Sequence, residues 1–410
     1  MKKYSRFILL GIHTLALGFL PIAFLWVAPR FLPGDQLAPF LQYWAAYNVI
    51  SLGFHGSVET LAPRILSTVG GVRRLAAISV FAMFLSVLAL VVYLFWIDIE
   101  VAPETYLGLG IAIVLHLLHS AGRGSAMYKA QWGRFAGAAV AQSFVSILTV
   151  IFLFNFLAPR IVHIFIALAA GYIASIMVTI TPWRVSKDLL LEVVNALRAI
   201  DKKSIIQYLG FSSSLFLVLF IPVLPIILGA QISLSRETLL MLTVIPYLVR
   251  IGSTVGNAFT PLVLSRYQLY PQKRISTFTF HAIAMTTPAM IALAATIALS
   301  PHLFEWYLGR EVTLFISSVI LISFAELLFS LSSVFRIFSL SIGGPAPQLF
   351  AWILAGVYLS WGLSQAPPTI SLDVVADLLF RAALLLNLVL ALALFLGRIH
   401  TRQGNPRPSS

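Results

Sequence analysis

The chain has 410 residues, of which 60% are hydrophobic and only 10% charged. Soluble globular chains carry about 25% charged residues, so the composition excludes a soluble globular domain and a disordered segment alike. The net charge is +13 and there is no cysteine, which removes disulfides, thiolate metal sites and a cysteine nucleophile from consideration.

At roughly 20 apolar residues per crossing, the sequence holds material for about a dozen membrane spans. Six apolar stretches come first, at about 7–28, 39–62, 75–96, 105–121, 135–157 and 161–182. Six more follow at about 206–228, 238–262, 275–299, 312–335, 347–363 and 374–396. Each is expected to be helical, because hydrocarbon offers no water to an unpaired backbone N–H or C=O. The first stretch follows Lys2, Lys3 and Arg6 but is too long for a signal-peptide core and lacks an A-x-A-like cleavage site. It reads as a retained span.

The loops between these stretches sort the basic residues. The amino-terminal tail and every second loop, with the carboxyl tail, hold 21 of the 27 Lys and Arg, among them Arg64, Arg123, Arg274, Arg336 and Arg398. The opposite loops hold Arg30, Arg160, Arg236 and Arg310, while Arg250 and Arg381 fall inside spans. The positive-inside rule therefore places both termini in the cytoplasm of a multi-pass protein of the cell inner membrane. Much of the +13 charge is thus topological and requires no nucleic-acid partner.

The longest segment between spans, 183–205, carries Leu189, Val193, Val194 and Leu197 at helical spacing against Lys187, Asp188, Glu192 and Arg198. It reads as an amphipathic connector between an amino-terminal bundle (1–182) and a carboxy-terminal bundle (206–397), with 398–410 as a disordered tail. A shift of 198 residues places Pro63 on Pro261, Leu66 on Leu264 and Ser67 on Ser265; a shift of 199 places Leu10-Gly11 on Leu209-Gly210. Six spans per half make this a parallel repeat about an axis along the membrane normal. The expected fold class is an all-α polytopic membrane protein of 12 transmembrane helices, arranged as two six-helix bundles around a central cavity.

Two spans carry polar stripes. Asn48, Ser51, His55 and Glu59 recur at spacings of 3, 4 and 4 in span two; Thr243, Arg250, Ser253 and Asn257 at 7, 3 and 4 in span eight. Each set occupies one helical face, and an arginine near mid-membrane costs at least ~2.5–3.5 kcal/mol unless it faces protein or water. Both stripes are expected to line one cavity. Glu326 in span ten, with Ser330 and Ser333 on its face, and Arg381 and Asn387 in span twelve are further candidates; Glu326 with Arg381 is the simplest structural pairing. His116 and His119 stand at i and i+3, but with no cysteine and no third ligand in reach they do not predict a metal site. The sequence has no G-x-x-x-x-G-K-[ST] loop for ATP hydrolysis and no cofactor motif.

The stretch FLPGDQLAPFLQYWAAYNVISLGFHGSVETLAPRILS (31–67) resembles the first loop and second span of Wzx-type polysaccharide flippases, with Pro33-Gly34-Asp35 as the turn and Leu52-Gly53 through Pro63-Arg64 as the span end. HSAGRGSAMYKAQWGRFAGAAVAQS (119–143) is similar to the connection into the fifth span, and PYLVRIGSTVGNAFTPLVLSR to the eighth. These flippases belong to the multidrug/oligosaccharidyl-lipid/polysaccharide exporter superfamily. The resemblance implies two six-helix bundles working by alternating access on an undecaprenyl-pyrophosphate-linked oligosaccharide for O-antigen, capsule or exopolysaccharide assembly, with other polysaccharide-assembly proteins and the lipid bilayer as partners. On that expectation Arg250 attracts the diphosphate, and Asn48, Ser51, Ser253, Asn257 and Arg381 contact substrate beside Trp44 and Tyr247. Glu59 and His55 bind a coupling proton, and Glu326 assists coupling or gating. A cation-coupled multidrug or metabolite antiporter of the same superfamily is the alternative, favoured by Glu59 and Glu326 and opposed by Arg250. A membrane glycan polymerase or ligase comes last, since the short outer loops carry no catalytic constellation; the chain is not expected to be an enzyme.

Overall fold

The computed structural model describes residues 2–68, 70–96, 102–179, 202–229, 231–257, 263, 273–308, 316–342, 346–366 and 370–403. Side chains are described for fewer, those of 2–7, 253–257, 339–342 and 394–403 being among the ones left outside. The regular elements among the described residues are all helices, without a strand.

The amino-terminal half is built from α1 (Lys2–Phe31), α2 (Gly34–Ile50), a π-helical turn (Ser51–His55), α3 (Gly56–Leu66), α4 (Gly71–Trp96), α5 (Pro103–Tyr128), α6 (Trp132–Phe156) and α7 (Ile161–Thr179). The α2, π and α3 segments run on without a break and make a single span. The carboxy-terminal half comprises α8 (Lys202–Ile227), α9 (Arg236–Asn257), α10 (Arg274–Leu308), α11 (Ile316–Ile342), α12 (Ala346–Gln365) and α13 (Leu372–Gln403). Each half therefore contributes six spans.

Nine of these helices hold a run long and apolar enough to cross a membrane on composition alone. α12 is not among them, nor are the span-two assembly and α9. The latter two carry the polar stripes, and both sit where the halves meet: α1 packs on α9, while α2 and the π turn pack on α8. Span one against eight and span two against seven are the same contact seen from either half, as a repeat about the membrane normal requires. Burying polar groups inside the protein lets these two spans be less hydrophobic than the ones facing lipid. The outward faces show the converse: Phe84, Phe95, Phe144, Met177, Ile291 and Trp361 are exposed, as lipid-facing side chains are. The shared core packs Phe24, Phe40, Trp44 and Tyr47 with Ile221, Leu224, Phe329 and Trp352.

Three expected boundaries move. Span four was expected at about 105–121, and α5 continues to Tyr128; span ten was expected at about 312–335, and α11 continues to Ile342. Hydropathy ends a span at its first strong polar residue, whereas a bundle can satisfy that residue internally. As a result Arg123 and Arg336, which the charge pattern assigns to loops, lie inside helices. Beyond 396, α13 runs on to Gln403 into the expected tail. Most of the 183–205 connector and residues 404–410 of the tail lie outside the described residues.

Candidate functional site

The π turn sets the inner surface of span two. Its i→i+5 hydrogen bonding widens the backbone there, so Ser51 and His55 point into the amino-terminal bundle, 1% and 0% exposed, while Leu52 at the same depth is 41% exposed. Tyr208 Oη of α8 donates to the Phe54 carbonyl at 3.2 Å, tying the turn to the other half.

Around His55 and Glu59 the bundle assembles a polar chain from five helices. Arg123 of α5, 4% exposed, is its hub. Its Nη2 donates to Glu59 Oε1 of α3 at 2.8 Å and to His13 Nε2 of α1 at 2.8 Å, and its Nη1 donates to His119 Nε2 at 3.0 Å. A guanidinium only donates, so both imidazole nitrogens accept and both rings are neutral. His119 then carries its proton on Nδ1 and donates it to Ser175 Oγ of α7 at 2.6 Å.

The same reasoning orders the rest of the chain. Ser86 Oγ of α4 donates to the Ala82 carbonyl at 2.8 Å, so it accepts from His55 Nε2, also at 2.8 Å. His55 Nδ1 is then the acceptor for His116 Nδ1–H at 3.1 Å. His116 packs edge-on against Tyr47 and Tyr172, whose hydroxyls are hydrogen-bonded to each other. Phe135 of α6 closes the end, stacked on His13 at 4.1 Å and under the Arg123 guanidinium at 5.0 Å. The approach of α5 to α3 requires Gly124: a Cβ there would stand 2.5 Å from Ala62 Cβ and 2.9 Å from the Glu59 carbonyl oxygen. Four histidines converge, yet no group of three or more metal-ligating side chains forms among the described residues.

The second charged centre lies in the other half. Arg250 of α9 donates from Nε to Glu326 Oε1 at 2.8 Å and from Nη2 to Glu326 Oε2 at 3.0 Å, a bidentate pair with α11. The arginine side chain is 23% exposed and the glutamate 4%. Tyr247 lies one turn away with its ring 5.5 Å from the guanidinium. At Gly252 α9 meets α10 so closely that a Cβ would collide with the Pro288 carbonyl.

The predicted residues are thus distributed over two centres instead of one cavity. His55 and Glu59 lie within the amino-terminal bundle, whereas Arg250 and Glu326 pair in the carboxy-terminal one. Glu326 bonds Arg250 and not Arg381, because they share a membrane depth on adjacent helices. Arg381 is paired instead with Asp377 one turn before it, at 2.9 Å on the exposed outer part of α13. Asn48 uses its Nδ2 on the Trp44 carbonyl at 2.7 Å. Asn387 bonds the Leu328 and Ala383 carbonyls at 2.9 and 2.8 Å, joining α13 to α11. Trp44 is buried in the core, whereas Tyr247 is partly open. The side chains of Ser253 and Asn257 lie outside the described residues. Arg123, His13 and Ser175 carried no sequence expectation of function, although His116, His119 and Arg123 recur at spacings of 3 and 4 on one helical face.

No family model matches the chain, and no curated protein matches it by sequence. Solved structures do. The eukaryotic MATE transporter AtDTX14 superposes with a TM-score of 0.69 at 11% identity, covering 96% of each chain. A multidrug resistance MATE family transporter of the MOP superfamily superposes in its outward-facing conformation with a TM-score of 0.66 at 13% identity, over 98% of this chain and 96% of that one. Its inward-facing conformation gives 0.56 at 12% identity, over 95% and 94%. The chain therefore has the two-bundle, twelve-span fold of those transporters over essentially its whole length.

Proposed function

We propose that this protein is an alternating-access antiporter that exchanges an amphipathic small molecule, of the kind multidrug transporters carry, against protons. The observation carrying this reading is the Glu59–Arg123 pair within a bundle that also holds four histidines. Glu59 is the one carboxylate in the network, and a proton added to it removes the charge that holds Arg123. The guanidinium then keeps only His13 and His119 as acceptors, and the contact of α3 with α5 weakens. Because the π turn next to α3 is also bonded to α8, loosening α3 is transmitted to the contact between the halves. The likeness in fold to MATE transporters supports this reading over the flippase. So does the Arg250–Glu326 pair: with its charge already matched bidentately, Arg250 no longer argues against a cationic substrate.

The test is uptake of a fluorescent organic cation into proteoliposomes under an imposed pH gradient. Wild type is expected to accumulate dye, and Glu59→Gln, with the same amount reconstituted, to lose at least tenfold of the gradient-driven rate. Undiminished uptake by Glu59→Gln would remove Glu59 from coupling; no wild-type uptake for any cation would remove the antiporter reading. The flippase reading retains one supporting observation, the partly open Arg250 guanidinium beside Tyr247. It expects Arg250→Ala to abolish lipid-linked glycan export with normal expression.

A further inference from the structure

The carboxy-terminal half buries a cation that no carboxylate among the described residues neutralises. Arg336 of α11 is 7% exposed, and its Nε and Nη1 have no hydrogen-bond partner. Its guanidinium lies over Phe211 of α8, 5.0 Å from the ring centroid. His281 of α10 lies within electrostatic reach, 0% exposed and with both ring nitrogens unpartnered. One turn along from Phe211, Ser214 Oγ donates to Gln348 Oε1 of α12 at 3.2 Å, which leaves the Gln348 Nε2 amide, also 0% exposed, without a partner. Three helices beside α8 thus bring unpartnered side-chain nitrogens into one region, within about two turns of the cytoplasmic ends of α10 and α11.

The acids of this half are Glu237, Glu305, Glu311, Glu326, Asp373 and Asp377. Of those described, Glu237, Glu305, Asp373 and Asp377 stand at the outer ends of their helices, and Glu326 is committed to Arg250. An unpaired guanidinium in such a setting is strongly unfavourable, and an anion from solution would compensate it. We propose that Arg336, His281 and Gln348 form a binding site for a small monovalent anion of the chloride class, entered from the cytoplasm. One guanidinium with a neutral imidazole and an amide balances one negative charge, whereas a divalent anion would leave an excess charge buried. All three side chains are more than nine-tenths buried, which favours a small occupant. The site is independent of the transport reading and holds whatever the substrate.

The experiment is thermal unfolding of the purified full chain in detergent at constant ionic strength, with sodium gluconate replaced stepwise by chloride or bromide. The melting temperature of wild type is expected to rise with halide and saturate, and that of Arg336→Gln to be independent of halide. Bromide in crystals is expected to give an anomalous peak beside Arg336. Identical wild-type unfolding in gluconate and chloride would overturn the site, as would a full halide response in Arg336→Gln. Stabilisation by sulfate equal to that by chloride would overturn the monovalent class. If Arg336→Gln does not fold, His281→Phe keeps the bulk and is expected to shift the halide midpoint at least tenfold; an unchanged midpoint removes His281 from the site.

Discussion

Both halves place an arginine on their fourth span, buried toward the cytoplasmic side, and they treat it in opposite ways. Arg123 has a carboxylate and two imidazole acceptors from three helices. Arg336 has an aromatic face, and its Nε and Nη1 go without a partner. The acid of the carboxy-terminal half sits about ten residues (three turns) further out on α11, where Glu326 is taken by Arg250. A duplicated scaffold therefore preserves the position of a cation without preserving its counter-charge. The amino-terminal half satisfies its buried arginine within itself, whereas the carboxy-terminal half separates its Arg250–Glu326 pair from Arg336.

Substitutions can break this contrast, beginning with the largest effect. Arg123→Ala leaves Glu59, His13 and His119 without their shared donor, and removing one member of a buried pair costs about 3–5 kcal/mol. Unfolding in detergent should show it, and Arg123→Ala combined with Glu59→Gln should recover part of the loss; purely additive losses would mean the two are uncoupled. Arg250→Ala strands Glu326 beside a cleft that is partly open, so the expected cost is lower, about 1.5–3 kcal/mol for a charged hydrogen bond. Gly124→Ala forces α5 away from α3 and is expected to cost about 1–3 kcal/mol as overpacking. It should also reduce proton-driven exchange, since it displaces Glu59 from Arg123; unchanged stability and transport would show that the helices separate freely there. Arg381→Ala should change stability by no more than about 0.5 kcal/mol, the worth of an exposed i,i+4 pair, and leave transport intact. A large effect there would place a third functional centre at the outer end of α13.

Much of the architecture was legible from the residues alone. The number of spans follows from apolar runs of membrane length, and the orientation from basic residues gathered on one side, because the bilayer acts on each helix separately. The mid-membrane arginine at 250 was visible for the same reason: a cation among apolar neighbours stands out within its own helix. Span two was equally visible as a polar stripe, although the π turn that directs His55 inward left no local signature, and Ser51–His55 continues the helical pattern on either side.

The partners were another matter. Arg123 and Arg336 stand near the ends of apolar runs, where a loop cation and a buried one look identical in sequence. Whether Glu326 meets Arg250 or Arg381 depends on which helices lie side by side at the same depth. The four histidines come from α1, the π turn and α5, separated by up to about a hundred residues of chain. The sequence by itself determined a twelve-span membrane protein with two polar spans and one arginine at mid-membrane. Only the tertiary structure decided which charges are neutralised and which are not, because a pattern along one helix reports its medium, whereas a counter-charge is supplied by a different helix.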